Sequence, residues 1–195
     1  MIIGITGGTG CGKTTLLNLI AARGGLILDC DAIYHKLLLS DKEMLTAIND
    51  RFPGVVKNGA LNRKKLGAIV FADKIALLHL NRITHAAVKA EVLRRLETAP
   101  QLTAIDAIGL FEGGLAQLCD VTVAVTAPEE ERVNRLMARD NISEEYARSR
   151  IHAQHEEGWF RERCDYVLEN AGELDAFRAN CLAFLARLGI MKENE

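Results

Sequence analysis

The chain has 195 residues, of which 49% are hydrophobic and 26% are charged. This length and composition favour a single folded domain and exclude a mainly disordered chain. The formal net charge of −2 gives no general attraction to nucleic acid or to acidic membranes, so we expect neither as a partner. No apolar run approaches the roughly 18 residues of a membrane helix, and we expect a cytoplasmic protein without a cleavable signal. The composition leaves the oligomeric state open.

Residues 7–14, GGTGCGKT, match the phosphate-binding pattern G-x-x-x-x-G-K-[ST]. Residues 1–6 before this loop are apolar and mostly β-branched, as in a buried strand, and residues 15–21 after it have a helical pattern. In that context backbone amides surround a polyphosphate, Lys13 reaches its β- and γ-phosphates, and the Thr14 hydroxyl binds Mg²⁺. We therefore expect a nucleotide to contact Gly8, Thr9, Gly10, Cys11, Gly12, Lys13, Thr14 and Thr15.

The five cysteines predict neither a disulfide framework nor a zinc site, because their number is odd and no C-x-x-C pair occurs. Cys11 lies inside the phosphate loop, where the geometry requires only a small residue. A packing role for Cys11 is favoured over the alternative, an oxidation that blocks nucleotide binding.

Short apolar segments predict four further strands, at residues 26–29, 102–108, 121–125 and 165–168. The segments between and after them have helical patterns, at about residues 31–52, 62–96, 128–163 and 173–188. Alternation of strands and helices is typical of parallel α/β proteins. The sequence therefore predicts an α/β fold of three layers, with a five-stranded parallel sheet between helices.

Two helical segments are longer than a connection between strands requires. We assign the first to a helical substrate-binding lobe and the second to an arginine-rich lid, both of them insertions in a single domain. The expected boundaries are about 31–100 for the lobe, about 128–163 for the lid, and 1–30, 101–127 and 164–195 for the core.

Acidic residues follow two predicted strands, at the sheet edge where parallel α/β proteins bind ligands. Asp31 can accept a proton from an attacking hydroxyl or orient the water shell of Mg²⁺, and the alternative is an N-cap of the next helix. Asp29 lies two residues before Asp31, so the carboxylates of Asp29 and Asp31 share one face if the strand continues as far as Asp31. Asp106 resembles the Walker B aspartate that supports Mg²⁺ beside Thr14, although a structural role fits this weak motif equally well. Glu112 is a second candidate contact near the transferred phosphate.

The predicted lid carries Arg132, Arg135 and Arg139 at spacings i, i+3 and i+7, which place them on one helical face. Glu131 can pair with Arg135, whereas Arg135 and Arg139 repel each other unless an anion lies between them. A triphosphate would be that anion, and arginines that close over it neutralise charge and exclude water. The alternative is a solvated helix with surface ion pairs.

The chain resembles the dephospho-coenzyme A kinase family along nearly its whole length. Beyond the phosphate loop, the similar segments are LDCD at 28–31, GALNR at 59–63, LFE at 110–112, the lid residues Arg135, Arg139, Arg150 and Gln154, and DYVLENAG at 165–172. The resemblance implies a P-loop kinase that uses ATP and Mg²⁺ to phosphorylate the ribose 3′-hydroxyl of dephospho-coenzyme A.

The resemblance also implies roles for single residues. Lys13 holds ATP with the phosphate loop, Asp31 orients or deprotonates the 3′-hydroxyl, and Arg139 closes with Arg135 over the γ-phosphate. On the acceptor side, the residues expected to face dephospho-coenzyme A are Arg63 and His85. The residues expected near the adenine of ATP are Asn170 and Gly172.

Two departures from the family pattern concern the acceptor side. The family's His-Pro dipeptide is His85-Ala86 here, and its Pro-Leu before Leu-Phe-Glu is Ile108-Gly109, so two fixed φ angles are lost. A kinase for a nucleoside, a nucleotide or another small metabolite is therefore the alternative. A GTPase-like module is a third hypothesis, because residues 106–109 fit D-x-x-G, but the guanine-reading motif N-K-x-D does not occur.

Overall fold

The computed structural model describes residues 1–191 of the chain. In chain order its elements are β1 (Ile2–Thr6), α1 (Lys13–Ala21), β2 (Leu26–Asp29), α2 (Cys30–Ser40), α3 (Lys42–Arg51), β3 (Val56–Lys57), β4 (Ala60–Leu61), α4 (Arg63–Val70), α5 (Lys74–Leu96), β5 (Thr103–Asp106), a 3₁₀ helix (Ala116–Leu118), β6 (Val121–Thr126), α6 (Glu129–Asp140), α7 (Glu144–His152), α8 (Glu157–Arg163), β7 (Tyr166–Glu169) and α9 (Leu174–Arg187).

Five strands form one parallel sheet in the order β2-β5-β1-β6-β7. The central strand β1 is buried from Ile3 to Thr6, and β6 is buried along its whole length. Nearly continuous apolar strands are typical of a parallel sheet that is covered on both faces. The predicted five-stranded parallel α/β fold is therefore confirmed.

Helices cover both faces of this sheet. On one face, Leu16 of α1 and Phe177 of α9 pack in the same cluster as Ile5 of β1. On the other face, Val88 of α5 packs in the same cluster as Ile105 of β5. Successive residues of a strand point to opposite faces, so the apolar strands supply both clusters. The result is the three-layer arrangement expected from the sequence.

The residues between β2 and β5 form a helical lobe, and those between β6 and β7 form a second helical group. The lobe has its own core around Ile48 and Phe52, closed by the hairpin of β3 and β4. In the second group, α6 and α7 pack through Val133, Leu136 and Ile151. Each group therefore has apolar packing of its own beside the sheet.

The segments with helical patterns at 31–52, 62–96 and 128–163 do contain helices, but each segment is divided into two or more of them. New helices begin after Asp41, Asp73 and Ser143, whose side chains each accept a hydrogen bond from a first-turn amide at 2.7 to 3.2 Å. A short polar side chain that binds a first-turn amide caps the helix that follows it, and Asp41 is also the residue at which α2 ends. Among residues 1–191, none of the resulting helices is long and apolar enough to cross a membrane.

The third strand is shorter than the predicted 102–108, and it ends at Asp106. The chain leaves the sheet there because the following residues bond to one another: the Gly113 amide donates to the Gly109 carbonyl at 2.9 Å, and the Leu115 amide donates to the Leu110 carbonyl at 2.9 Å. The first helix begins two residues earlier than expected, at Lys13.

Candidate active site

The phosphate loop, residues 7–14, leaves the centre of the sheet after β1 and turns into α1. Gly12 directly precedes the helix with left-handed backbone, at a φ of 95°, a conformation that glycine adopts without a steric penalty. A Cβ at Gly12 would also collide with the side-chain amide of Asn170. Glycine therefore lets the loop end in a helix N-terminus, where partial positive charge favours an anion.

Asn170 fixes this loop from the end of β7. Its side chain is buried and donates from Nδ2 to the Cys11 carbonyl at 2.8 Å. Gly172, two residues later, is exposed, and its amide donates to Oε1 of Glu131 at 3.2 Å. Both residues thus lie beside the loop and the start of the lid.

Cys11 itself packs in the main core, with 2% of its surface exposed. Burial raises the pKa of its thiol, and the nearby charges of Arg132 and Lys13 only partly oppose this. A buried thiol with a raised pKa is poorly reactive. These observations support the packing role that the sequence favoured.

A cavity of about 360 Å³, here called the phosphate cavity, lies over the loop. Its lining residues are Gly8, Thr9, Gly10, Cys11, Gly12, Lys13, Thr14, Asp31, Asp106, Ile108, Arg135, Arg139, Arg150 and Gln154. The structure therefore brings the loop, two carboxylates and three arginines to one place. Of the expected loop contacts, Thr15, the third residue of α1, is not in the lining.

A second cavity of about 220 Å³, here called the lobe cavity, lies between α2, α5 and the residues that follow β5. Its lining residues are Cys30, Asp31, Tyr34, Leu80, Asn81, Thr84, His85, Val88, Ala107, Ile108, Gly109, Gly113 and Leu115. Asp31 and Ile108 belong to the lining of both cavities. Asp31 therefore stands at the boundary between the phosphate side and the lobe side.

Asp31 does not cap the helix that follows β2. The N-cap is Asp29, whose Oδ1 accepts a hydrogen bond from the Ala32 amide at 2.9 Å. The interpretation of Asp31 as an N-cap is thus wrong, and so is a shared strand face, because the strand ends at Asp29 and α2 begins at Cys30. Asp31 is an exposed residue in the first turn of α2, with its carboxylate not used for capping.

Asp106 ends β5 beside Asp29 of β2. Burial raises the pKa of its carboxyl to about 6; the charge of Lys13 opposes this rise, and Asp29 and Asp31 add to it. Within residues 1–191, its Oδ1 is buried and has no hydrogen-bond partner. A buried carboxylate oxygen without a partner is costly, and a cation next to it would remove that cost.

Lys13 and the lid arginines all have partners. The Lys13 ammonium donates to the Gly7 carbonyl at 3.0 Å. Arg135 donates to Glu131 at 2.5 Å and to the Gly10 carbonyl at 3.3 Å, and Arg139 donates to Asp140 at 2.7 Å. The expected repulsion between Arg135 and Arg139 is therefore already relieved by separate carboxylates, so it is no longer an argument for a bound anion.

The two residues expected to face the acceptor, and Glu112, expected near the transferred phosphate, lie in different surroundings. His85 lines the lobe cavity. Arg63 is exposed on α4 and lines neither cavity, but its charge acts on Tyr34: burial raises the pKa of Tyr34, and Arg63 opposes this. Glu112 also lines neither cavity, and its Oε1 lies 2.6 Å from Nε2 of His155, which stacks on Trp159.

The dephospho-CoA kinase family model matches residues 1–176. The chain belongs to this family. A dephospho-CoA kinase from Deinococcus radiodurans is 38% identical over 192 residues, which cover 96% of this chain and 92% of the relative. The family resemblance expected from the sequence is thus confirmed.

Solved structures are similar to this kinase over nearly the whole chain. A crystal structure from Thermus thermophilus has a TM-score of 0.80 at 36% identity, covering 96% of this chain and 97% of that one. The dephospho-CoA kinase of Campylobacter jejuni has a TM-score of 0.69 at 25% identity, covering 97% and 98%. The similarity therefore includes the lobe and the lid as well as the sheet.

The kinase has cavity residues that sequence reasoning missed. Tyr34 follows Asp31 by three positions on α2, so helical spacing could have placed it beside the same cavity. Thr84 is buried next to His85 on α5 and lines the lobe cavity, but no motif or spacing in the sequence indicates that it lies at a site. Leu80 lies one turn before Thr84, within an ordinary apolar helical pattern.

We expect Asp106→Asn to stabilise the kinase in the absence of nucleotide and Mg²⁺. Burial raises the pKa of Asp106 from 3.8 in the unfolded chain to about 6 in the folded protein. The protonated carboxyl therefore contributes to the free energy of unfolding below pH 3.8, and this contribution is lost as the pH rises through about 6. The loss is at most about 3 kcal/mol at neutral pH. Urea unfolding should give the variant a higher free energy of unfolding at about pH 7.5.

At about pH 4.5, the increase in the free energy of unfolding caused by Asp106→Asn should be smaller than at pH 7.5 by roughly 2 kcal/mol. An equal gain at both pH values would contradict a raised pKa for Asp106.

Proposed function

We propose that this kinase transfers the γ-phosphoryl group of ATP to the ribose 3′-hydroxyl of dephospho-coenzyme A, giving coenzyme A and ADP. The observation that carries the proposal is the position of Asp31 between the phosphate cavity and the lobe cavity. A phosphoryl transfer needs a donor and an acceptor on either side of one group that handles the acceptor proton. We also place the reaction in the cytoplasm, as expected from the sequence.

Family membership supports this activity over the two alternatives. Neither a kinase for a different acceptor nor a GTPase-like module is favoured by the match over residues 1–176. The phosphate loop would fit all three, so the choice depends on the rest of the chain.

On the donor side, loop amides hold the β- and γ-phosphates of ATP and the Lys13 ammonium moves from the Gly7 carbonyl to a phosphate oxygen. Asp106 and Thr14 fit a Mg²⁺ ion, because a buried carboxylate oxygen without a partner and an exposed hydroxyl both line the phosphate cavity. Bound there, Mg²⁺ would neutralise charge on the phosphates. Asn170 and Gly172 lie at the end of β7 where we place the adenine.

On the acceptor side, Asp31 accepts the proton of the 3′-hydroxyl as its oxygen attacks phosphorus. The carboxylate is exposed and is not engaged in capping, so its oxygens can reach a hydroxyl. His85 contacts the acceptor from the wall of the lobe cavity. Arg63 faces the acceptor from the side of Tyr34. Glu112, in the loop after β5, contacts the substrate near the transferred phosphate.

The lid completes the site during transfer. Arg135 and Arg139 line the phosphate cavity, and guanidinium groups there stabilise the charge of the transferring phosphoryl group. Closure over the nucleotide also excludes water, which limits hydrolysis of ATP. Arg139 has the exposed position expected of a group that moves, with 60% of its side-chain surface accessible.

Purified protein with Mg·ATP should release ADP rapidly only when dephospho-coenzyme A is present. The coupled release of ADP should be measured with dephospho-coenzyme A, adenosine, a nucleoside monophosphate and shikimate as separate acceptors. Lys13→Ala should lower kcat by at least about a hundredfold, because an electrostatic contact to the phosphates is lost. Turnover of a nucleoside in place of dephospho-coenzyme A would overturn the proposal.

Asp31→Asn should lower kcat by about two to four orders of magnitude, since a general base contributes on that scale. The matched control is Asp29→Asn, two residues away, because asparagine also caps helices well and Asp29 lines neither cavity. This control should keep kcat within about threefold of the wild-type value. Equal activity of the two variants would show that Asp31 is not the base.

A further inference from the structure

The backbone of Thr9, the third residue of the phosphate loop, is held by two lid side chains. Nε of Arg132 donates to the Thr9 carbonyl at 2.9 Å, and Oε1 of Gln154 accepts from the Thr9 amide at 2.8 Å. These contacts join residues 123 and 145 positions apart in the chain. Both backbone polar groups of one loop residue therefore have their partners in the lid.

The two side chains also bind each other. Nη2 of Arg132 donates to the same Oε1 of Gln154 at 3.2 Å, which closes a ring of three hydrogen bonds around Thr9. The guanidinium group comes so close to the loop that a Cβ at Gly8 would collide with Nη2. Arg132 and Gln154 thus have little freedom to move without moving the loop.

Arg132 and Gln154 come from two packed lid helices. Arg132 lies on α6, and Gln154 directly follows the C-cap of α7, with Val133, Leu136, Ala147 and Ile151 packed between the two helices. An apolar contact of this kind fixes the separation of the two polar groups. The lid therefore presents the donor and the acceptor to Thr9 as one unit.

We propose that Arg132 and Gln154 are positioning residues that hold the Thr9 peptide so that the rest of the phosphate loop keeps its phosphate-binding conformation. This inference rests on the proposed kinase function and extends it, because it assigns the lid a role at the loop backbone besides the contacts of Arg135 and Arg139 with phosphate. Since binding linkage is reciprocal, a nucleotide that fixes the loop also stabilises the docked lid.

The decisive variant is Gln154→Leu, which keeps the size of the side chain and removes the acceptor oxygen. It should weaken binding of ADP by about three- to tenfold, as expected for the loss of hydrogen bonds of ordinary strength. Isothermal titration with ADP measures this without any acceptor substrate. Hydrogen–deuterium exchange of a peptide spanning residues 7–14 should become faster in the same variant, because the Thr9 amide loses its partner.

The matched control is Arg148→Gln. Arg148 of α7 joins the two helices through ion pairs with Glu129 and Glu130 of α6, and it also pairs with Glu144 of its own helix. This variant loosens the lid without touching Thr9, so ADP affinity and loop exchange should stay within about twofold of wild type. An equal loss in Gln154→Leu and Arg148→Gln would overturn the proposal in favour of general lid stability.

Two further variants test the mechanism of the effect. Gln154→Glu keeps an acceptor oxygen for the Thr9 amide and for Arg132, so it should restore slow exchange in the loop. Arg132→Gln combined with Gln154→Leu should lose little more ADP affinity than the larger single effect, because both side chains hold the same peptide. Fully additive losses would contradict a shared role.

Steady-state kinetics separates this role from a general loss of structure. Gln154→Leu should raise the KM for ATP more than the KM for dephospho-coenzyme A, while thermal unfolding shows an intact fold. ADP binding that is unchanged or tighter in Gln154→Leu would overturn the proposal, since an oxygen that merely blocks the cavity gives that result. Failure of dephospho-coenzyme A as acceptor would instead count against the proposed function, because ADP binding and loop exchange do not depend on it.

Discussion

The backbone of the phosphate loop needs hydrogen-bond partners that a strand or a helix would otherwise supply, because buried backbone polar groups are rarely left unpaired. Side chains from distant segments supply them here. Asn170 binds the Cys11 carbonyl from the last strand, Arg132 binds the Thr9 carbonyl, and Arg135 reaches the Gly10 carbonyl at 3.3 Å. Three successive carbonyls of the loop are thus bound by side chains from outside it. Two loop amides also have partners, since the Thr9 amide donates to Gln154 and the Cys11 amide donates to the Gly8 carbonyl.

The same sheet edge concentrates negative charge. Asp29, Asp31 and Asp106 lie close enough for the first two to raise the pKa of the third, in addition to the effect of burial. Such an arrangement lowers stability, and a sequence selected only for stability would place apolar residues there. The nearby Lys13 ammonium compensates in part. Asp29 has a structural role as the cap of α2, whereas the raised pKa of Asp106 is consistent with the magnesium site that we propose.

Much of the fold could be predicted because its signals are local. Residues 7–14 match an eight-residue pattern with a strand before it and a helix after it, and the apolar strands separate clearly from the helical segments. The helix breaks at Asp41, Asp73 and Ser143 are local too, since each cap binds an amide two or three residues away. They were missed because the apolar periodicity continues across them.

The parts of the site that could not be predicted depend on long-range contacts. Nothing near Asn170 in the sequence indicates that its amide binds Cys11, which lies 159 positions earlier. Likewise, nothing near Gln154 in the sequence indicates that its side chain binds the Thr9 amide, 145 positions earlier. The choice between Asp29 and Asp31 as helix cap depends on a one-residue difference in where β2 ends, which patterns do not resolve. That difference decides which of the two carboxylates remains available for chemistry.

The proposed role of Arg139 in phosphate binding depends on its present partner, Asp140. Asp140 binds both Arg139 and Arg150, at 2.7 and 2.6 Å, and these bonds hold the pKa of Asp140 well below its usual range. The carboxylate therefore stays ionised to a lower pH than an ordinary aspartate and remains paired with Arg139, which lines the phosphate cavity. Because an exposed ion pair contributes little net stability, the contact of Arg139 with phosphate that we propose would require little free energy to separate Arg139 from Asp140. In the proposed closure Arg150 would keep Asp140 paired, because its guanidinium group already binds Oδ2 of that carboxylate at 2.6 Å.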